Sequence, residues 1–234
     1  MSTEIKKKKE NPLWSLLFNI VIPIFVLNKL TKVEEIGAIY ALLIALAFPL
    51  AYGLNDWIKN KKKNFISILG FAGIFLTGII GVFELPTELI AYKEASIPFI
   101  IGVVILVTIN SPFPLIRKLL YNPEIMDVEK IENILIEKNS KEGFDKLMVK
   151  SSYFLSLSFF LSAVLNFILA KIIMHSPSGT AAFNDEYSYM LGLSWPVIVL
   201  PSMVVMGFIL WYMFSSLTKL TGLKFEEMFN VENK

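Results

Sequence analysis

The 234-residue sequence contains no cysteine and a single histidine, and both shortages narrow the chemistry open to it. Without cysteine the chain forms no disulfide, no thiolate nucleophile and no cysteine-ligated metal centre. The one histidine, His175, is ten residues from the nearest acidic pair, Asp185 and Glu186. Because a zinc site needs three or four ligands, we expect no metal site and interpret His175 as a loop residue.

Charge is also absent from six long stretches of the chain. At about 1.5 Å per residue, about 20 helical residues cross the hydrocarbon layer of about 30 Å. Backbone polar groups in lipid must be bonded within the segment, and these runs lack the alternation of barrel strands. The sequence therefore predicts an all-α polytopic membrane protein with six transmembrane helices. The uncharged runs are Asn11–Asn28, Ile36–Asn55, Asn64–Phe83, Ala95–Ile116, Ser151–Ala170 and Tyr187–Thr218.

Lysine and arginine fall unevenly between alternate loops. The positive-inside rule places the richer side, and with it both termini, in the cytoplasm. The lysines before the first run resemble the start of a signal peptide, but Leu27-Asn28-Lys29 is no small-residue cleavage site, so we expect a retained first helix. The richer side holds Lys6–Lys9, Lys59, Lys61–Lys63, Arg117, Lys118, Lys146, Lys150, Lys219 and Lys224, and the other Lys29, Lys32, Lys93 and Lys171.

A longer charged stretch between the fourth and fifth runs contains a helical pattern. Apolar residues recur there at spacings of three and four, at Ile125, Val128, Ile131 and Leu135. The spacing predicts a cytoplasmic amphipathic helix over Glu124–Lys138. This helix is either a connector lying against the bundle or a docking surface for another protein, and its mixed charge argues against nucleic acid. The predicted organisation is a four-helix membrane unit, 1–121, a connector, 122–150, and a two-helix extension with a short cytoplasmic tail, 151–234.

A polar stripe marks the fifth run, where Ser158, Ser162 and Asn166 follow one another at steps of four residues. Small and hydroxyl-bearing residues are a common device for packing helices in lipid, and this is our first interpretation of the stripe. The alternative is a wet pathway through the membrane, although no charge lies at its centre.

The charged pair Lys93 and Glu94 precedes the fourth uncharged run. Both residues could lie at the outer membrane boundary, with Lys93 extending its ammonium to the interface. Alternatively, either residue faces the helix bundle and meets Lys29 at the end of the first run. A charged cluster there could bind an anionic headgroup or solute, or pass a proton. Asn19, deep in the first run, would bond another helix or, as the minority interpretation, contact a ligand.

No constellation typical of an active site can be assembled from the sequence. It has no Ser-His-Asp order, no glycine-rich phosphate loop and no paired acids within the uncharged runs. We therefore expect neither an enzyme nor a bound cofactor.

Three segments between about Leu16 and Tyr121 carry a family resemblance. They read LFNIVIPIFVLNKLTKVEEIGAIYALLIALAFPLAYGLNDWIKNKKK, LTGIIGVFELPTELIAYKEASIPFIIG and SPFPLIRKLLYN. They resemble the bacterial intracellular septation protein A family of inner-membrane proteins, implicated in envelope biogenesis and division. The whole chain resembles a longer bacterial membrane-protein family with two further spans, with which a transport role is sometimes associated.

The resemblance also implies particular residues. A lysine that ends the family's first helix is matched by Lys29. An acidic residue and an aromatic-lysine pair that open a later helix are matched by Glu88 and by Tyr92-Lys93. A Pro-Leu-Ile segment followed by a basic residue is matched by Pro114, Leu115, Ile116 and Arg117.

Together these observations favour a non-enzymatic protein of the bacterial inner membrane. It would support envelope biogenesis or division through contacts with membrane lipid or with envelope and division proteins, and it could form a homo-oligomer. The alternative is a small-solute or lipid transporter or channel, with Lys29, Lys93, Glu94 and the polar stripe near its path.

Overall fold

The computed structural model describes residues 17–60, 65–111, 114–123 and 126–229, and their regular structure is helical. Strand-like pairing in these ranges consists of one isolated antiparallel bridge between Met126 and Phe229. The expected all-α class is therefore confirmed. The helices are α1 (Ile22–Leu30), α2 (Gly37–Asn60), α3 (Phe65–Val82), α4 (Glu88–Val107), α5 (Leu115–Leu119), α6 (Val128–Glu137), α7 (Lys141–Ile173), α8 (Ala181–Ser194) and α9 (Leu200–Thr221).

Two wide π-helical turns, Leu17–Val21 and Trp195–Val199, lead directly into α1 and α9. Each is followed by a proline in the first helical positions, Pro23 and Pro201 respectively. Proline removes one backbone donor and crowds the carbonyl four residues earlier, so a wider turn at that point relieves the clash. The proline spacing thus explains where these two turns lie.

Four helical segments in the described residues are long and apolar enough to cross a membrane. They contain 19, 20, 33 and 41 residues, and α3 adds a shorter apolar stretch, Phe71–Val82. The longest joins α8, the second π-helical turn and α9 into one continuous helix. Part of the first predicted run, residues 11–16, lies outside the described residues. The four segments are Gly37–Asn55, Glu88–Val107, Lys141–Ile173 and Ala181–Thr221.

The chain forms two compact units. Unit 1 comprises Met1–Ile97 and Asn166–Trp195, and unit 2 comprises Pro98–Leu165 and Pro196–Lys234. Each boundary falls inside a long helix, so both units contain parts of α4 and α7.

Unit 1 brings α2 and α3 together at glycines. A side chain at Gly81 would collide with Leu42, which is fully buried, and one at Gly78 would touch Leu46 at 3.5 Å. Because glycine has no side chain, it lets a neighbouring helix approach closely.

Unit 2 packs rings against backbone and against one another. A Cβ built on Gly102 would lie only 2.9 Å from the nearest atom of the Phe160 ring. Ser156 on α7 donates a hydrogen bond to the Gly102 carbonyl at 2.9 Å, which holds α7 and α4 at this distance. Leu220 makes a similar close approach to Gly143 at the start of α7.

The helix α6 begins at Asp127, whose carboxylate accepts a hydrogen bond from the Lys130 backbone amide at 3.1 Å. Such a cap satisfies one of the free amides of the first turn. The apolar residues Ile131 and Leu135 of α6 are buried, whereas Ile136 of the same helix is 63 % exposed. Ile125, part of the predicted pattern, lies outside the described residues.

The segment after α9 packs back onto α6. The Lys130 ammonium donates to the Glu227 carbonyl at 3.1 Å, and the Lys138 ammonium donates to the Thr221 carbonyl at 2.7 Å. The second bond satisfies a carbonyl at the C-terminal end of α9, where cations are favourable. Much of the apolar face of α6 is therefore covered by the chain itself. In the same segment, the rings of Phe225 and Phe229 pack against each other and against Phe214 of α9.

Candidate functional site: a buried lysine in unit 1

The candidate site is built around Lys93, which lies little more than one turn into α4. The start of this helix is fixed by Thr87, whose hydroxyl donates to the Ser176 carbonyl at 2.7 Å and lies 3.2 Å from the Ser178 hydroxyl. With this anchor, the side chain of Lys93 turns into unit 1 and is only 9 % exposed.

Three groups surround the Lys93 ammonium. It donates to the Thr77 hydroxyl at 2.8 Å and pairs with the Glu94 carboxylate at 2.5 Å. It also lies 5.7 Å from the centroid of the Tyr187 ring, a cation–π distance. The Tyr187 hydroxyl lies 3.4 Å from that of Thr77, which donates in turn to the Gly73 carbonyl at 3.2 Å.

The arrangement gives the ammonium internal compensation for its lost hydration. An unpaired charge at the centre of a bilayer helix costs about 2.5–3.5 kcal/mol on insertion scales. Here Glu94 supplies the opposite charge and keeps contact with the surroundings, since its side chain is 23 % exposed. The charge of Lys93 on α4 is therefore balanced by Glu94, and its side chain links α4 to Thr77 on α3 and to Tyr187 on α8.

Of the two orientations that the sequence leaves open for Lys93, the inward one matches its burial in unit 1, where it is 9 % exposed. Its partners, however, differ from those considered for the inward orientation. Among the described residues no hydrogen bond or ion pair joins Lys29 to Lys93 or Glu94, and both Lys29 and Glu88 are exposed. The side chain of Asn19 lies outside the described part of the chain.

Thr77 and Tyr187 were missed by sequence reasoning. Thr77 lies in an uncharged run, where its one hydroxyl gives no signal of a charged partner. Tyr187 begins the sixth uncharged run, a position typical of an aromatic residue at the membrane interface, yet it is 5 % exposed and stacks on Phe183 with a centroid separation of 6.2 Å. The one sequence feature that marks Thr77 is a glycine one turn earlier, Gly73, since a glycine and a threonine on one face are typical of a helix-packing surface.

The polar stripe on α7 has one buried member, Ser158, at 9 % exposure. Ser162 and Asn166 are half-buried and both are engaged with other groups of the protein. Two residues before Ser158, Ser156 makes the hydrogen bond to the α4 backbone described above. That bond shows that hydroxyls on α7 serve in helix packing.

A second polar set joins α8 to the end of α1 and the start of α2. The Asn184 amide donates to the Thr31 hydroxyl at 3.1 Å and to the Ala38 carbonyl at 2.8 Å. One turn further along α8, the Ser188 hydroxyl donates to the Asn28 side-chain carbonyl at 3.2 Å. These bonds fix how α1 and α8 are aligned.

The histidine lies in the loop before α8, as expected. Glu186 accepts hydrogen bonds from the backbone amides of His175 and Ser176, at 2.8 and 2.9 Å, so the carboxylate closes the loop. Across the described ranges, no group of three histidine, cysteine, aspartate or glutamate residues could hold a metal ion.

Comparison with known proteins adds no relative to this picture. No family model, no curated protein and no solved structure matches the chain.

Proposed function

We propose that the chain is a six-span protein of the bacterial inner membrane with both termini in the cytoplasm. Four long apolar helices in the described residues support a multi-pass membrane protein. The uncharged runs at 11–28 and 64–83 supply the two further spans, and the lysine-rich loops give the orientation. In this topology α6 belongs to a cytoplasmic amphipathic connector.

The absence of native cysteine makes this topology directly testable. Single cysteines would replace exposed residues, Glu129 on α6 and Glu35 before α2. In intact cells a membrane-impermeant thiol reagent should label the cysteine at position 35 and reach the one at position 129 only after permeabilisation. Labelling in the opposite order would overturn the proposed orientation.

The function we propose is non-enzymatic support of envelope biogenesis or division, through contacts with lipid or protein. The observation that carries this proposal is that the Lys93 ammonium is buried in unit 1 and contacts only side chains of the protein among the described residues. Glu94, Thr77 and Tyr187 occupy the positions around the ammonium that a substrate would otherwise take. This buried charge therefore links helices of unit 1 to one another, as expected in a scaffold.

The second candidate is a small-solute or lipid transporter. One observation favours it, because an ionisable residue buried in a membrane-type helix commonly marks a solute or proton pathway. Lys93 beside Glu94 is such a pair, and a substrate anion could exchange with the Glu94 carboxylate on the ammonium.

Thermal unfolding of the detergent-purified protein separates the two candidates. Wild type, Lys93→Gln and the exposed control Lys29→Gln would be measured against a panel of small solutes and of lipids. The scaffold proposal expects stabilisation by lipid or by nothing, with no solute response that depends on Lys93. A soluble ligand that stabilises wild type and Lys29→Gln but not Lys93→Gln would overturn it in favour of transport.

A cellular test addresses the envelope role itself. Cells lacking the chain should show altered length or a leaky envelope, and the wild-type chain should restore them. Normal morphology and envelope integrity, together with failed uptake of one solute, would contradict the scaffold proposal.

A further inference from the structure

An open groove runs along the antiparallel pair α1 and α8 in unit 1. The hydrogen-bonded pairs Thr31–Asn184 and Asn28–Ser188 set the alignment of the two helices. Residue numbers decrease along α1 as they increase along α8, as in an antiparallel pair. One further turn along, the same alignment places Ile24 opposite Gly192, and both line the groove. Its volume is about 320 Å³, within the range of small-ligand sites.

The polar end of this groove offers hydrogen-bond acceptors and a negative charge. Asp185 is exposed and carries a carboxylate, and the Asn28 side-chain carbonyl is held in place by Ser188. Among the residues that the structure describes, no lysine or arginine lines the groove. One turn from Asp185, at i+4 on the same face of α8, Tyr189 presents an aromatic ring that is 62 % exposed. A carboxylate beside an aromatic face attracts an ammonium group.

The other end of the groove is apolar. Ile24 and Leu193 line it, and a Cβ built on Gly192 would meet no atom within 4 Å. This space begins two helical turns beyond Asp185, counted along α8. A hydrocarbon chain that continues from a polar headgroup would require this order of polar and then apolar surface.

We propose that this groove binds a phospholipid whose headgroup carries a primary ammonium. The ammonium lies against Asp185 and the Tyr189 ring, and the first part of an acyl chain lies along Ile24, Gly192 and Leu193. Charge complementarity selects the ammonium, and the apolar end selects a lipid over a free amine. The inference needs α1 and α8 to lie in a membrane but does not depend on the envelope role or on Lys93.

The test compares lipids that differ only in headgroup. Binding of phosphatidylethanolamine and phosphatidylglycerol with identical acyl chains would be measured on the purified full chain by native mass spectrometry, with free ethanolamine as a third probe. Wild type should prefer phosphatidylethanolamine by about tenfold, the scale of one hydrogen-bonded charge contact. Free ethanolamine should not displace the lipid, even at a concentration equal to the lipid concentration that saturates the groove.

Two variants alter the two ends of the groove separately. Asp185→Asn removes the charge and should abolish the headgroup preference, whereas Gly192→Leu fills open space and should weaken binding of both lipids. The matched controls are Glu88→Gln, an exposed acidic residue in the same unit, and Gly207→Leu, a helical glycine with equally open surroundings. Both controls should bind like wild type.

Several outcomes would overturn the proposal. Equal binding of the two lipids by wild type would remove the role of the ammonium. An unchanged preference in Asp185→Asn, with an unchanged melting midpoint, would place the lipid elsewhere. Competition by free ethanolamine at the same concentrations would show a soluble amine site instead of a lipid site.

Discussion

The two units hold their helices together in different ways. In unit 1, side-chain hydrogen bonds cross between helices, from Lys93 to Thr77 and from Asn184 to Thr31 and Ala38. Unit 2 has one such bond in the described residues between two of its long helices, from Ser156 to the Gly102 carbonyl, and otherwise joins them with rings. Phe99 packs against Phe160 at 5.5 Å, and Phe154 packs against Phe208 and Tyr212 at 6.4 and 5.6 Å.

This difference has a physical consequence for specificity. Apolar side chains gain little from leaving lipid for one another, so helices in lipid associate through close packing and hydrogen bonds. A hydrogen bond has one correct alignment, whereas a ring can slide by a fraction of a turn and still make contact. Unit 1 should therefore respond sharply to loss of a polar partner, and unit 2 to changes in the space available to its rings.

The largest effect should come from Lys93→Met. This change leaves the Glu94 carboxylate, 77 % covered, without its partner and should destabilise the fold by about 3 kcal/mol, as breaking other buried pairs does. Equilibrium unfolding in mixed detergent would measure it. The double variant Lys93→Met/Glu94→Gln should recover a large part of the loss, because it removes both charges. A double variant no more stable than the single would show that Glu94 does not need Lys93.

Gly102→Ala should give the next largest effect and tests unit 2. The new methyl group would lie 2.9–3.2 Å from the Phe160 ring. Because a packed ring cannot fold away as a flexible chain end can, we expect a loss of about 1–3 kcal/mol, typical of overpacking. Gly207→Ala in the same unit meets nothing within 4 Å and should be neutral or slightly stabilising. Equal unfolding free energies for the two variants would contradict the role given to ring packing.

The helical class could be predicted from the sequence because it depends on the length of uncharged runs alone. The bounds could not, and the sixth run shows why. It was placed at Tyr187–Thr218, but the helix starts at Ala181, where the Thr180 hydroxyl accepts from the Phe183 amide at 3.2 Å. Asp185 and Glu186 end the uncharged run but not the helix, because Asp185 is exposed and Glu186 accepts hydrogen bonds from the His175 and Ser176 amides.

The candidate site was predictable only in part. Lys93 and Glu94 stand out in the sequence because charge is rare near the apolar runs. Their partners come from distant segments, Thr77 from α3 and Tyr187 from α8. Neither residue has a sequence pattern that specifies a contact with Lys93. These contacts are therefore seen only once the three helices are packed together.

Asn184→Ala should have a moderate effect and sharpens the comparison for unit 1. The variant loses two hydrogen bonds, to Thr31 and Ala38, and membrane hydrogen bonds are worth about 0.6 kcal/mol each on average. Because the Ala38 carbonyl is then left without this donor, we expect a total loss of about 1–2 kcal/mol. Asn28→Ala changes an exposed residue and removes the single bond that it accepts from Ser188, so this control should cost less. A loss as small as that of the control would mean that polar bonds do not set the alignment of α8.

Tyr121→Phe should have the smallest effect and tests whether a buried hydroxyl without a partner contributes to the stability of unit 2. Tyr121 is 3 % exposed and its ring packs against Phe144, with centroids 5.1 Å apart. Among the described residues its hydroxyl has no hydrogen-bond partner. Removing a buried hydroxyl that bonds nothing should leave the unfolding free energy at neutral pH unchanged or slightly raised.

The same substitution makes a prediction for alkaline pH. Burial, and then the nearby Glu132 carboxylate, raise the pKa of the Tyr121 hydroxyl well above its usual value. The unfolded chain therefore loses the proton first, so wild-type stability should begin to fall as the pH rises through about 10. Tyr121→Phe has no proton to lose at this position and should show a smaller fall, in unfolding curves recorded between neutral pH and about 11. Identical pH profiles for the two proteins would show that the Tyr121 hydroxyl is already paired or hydrated in the folded protein.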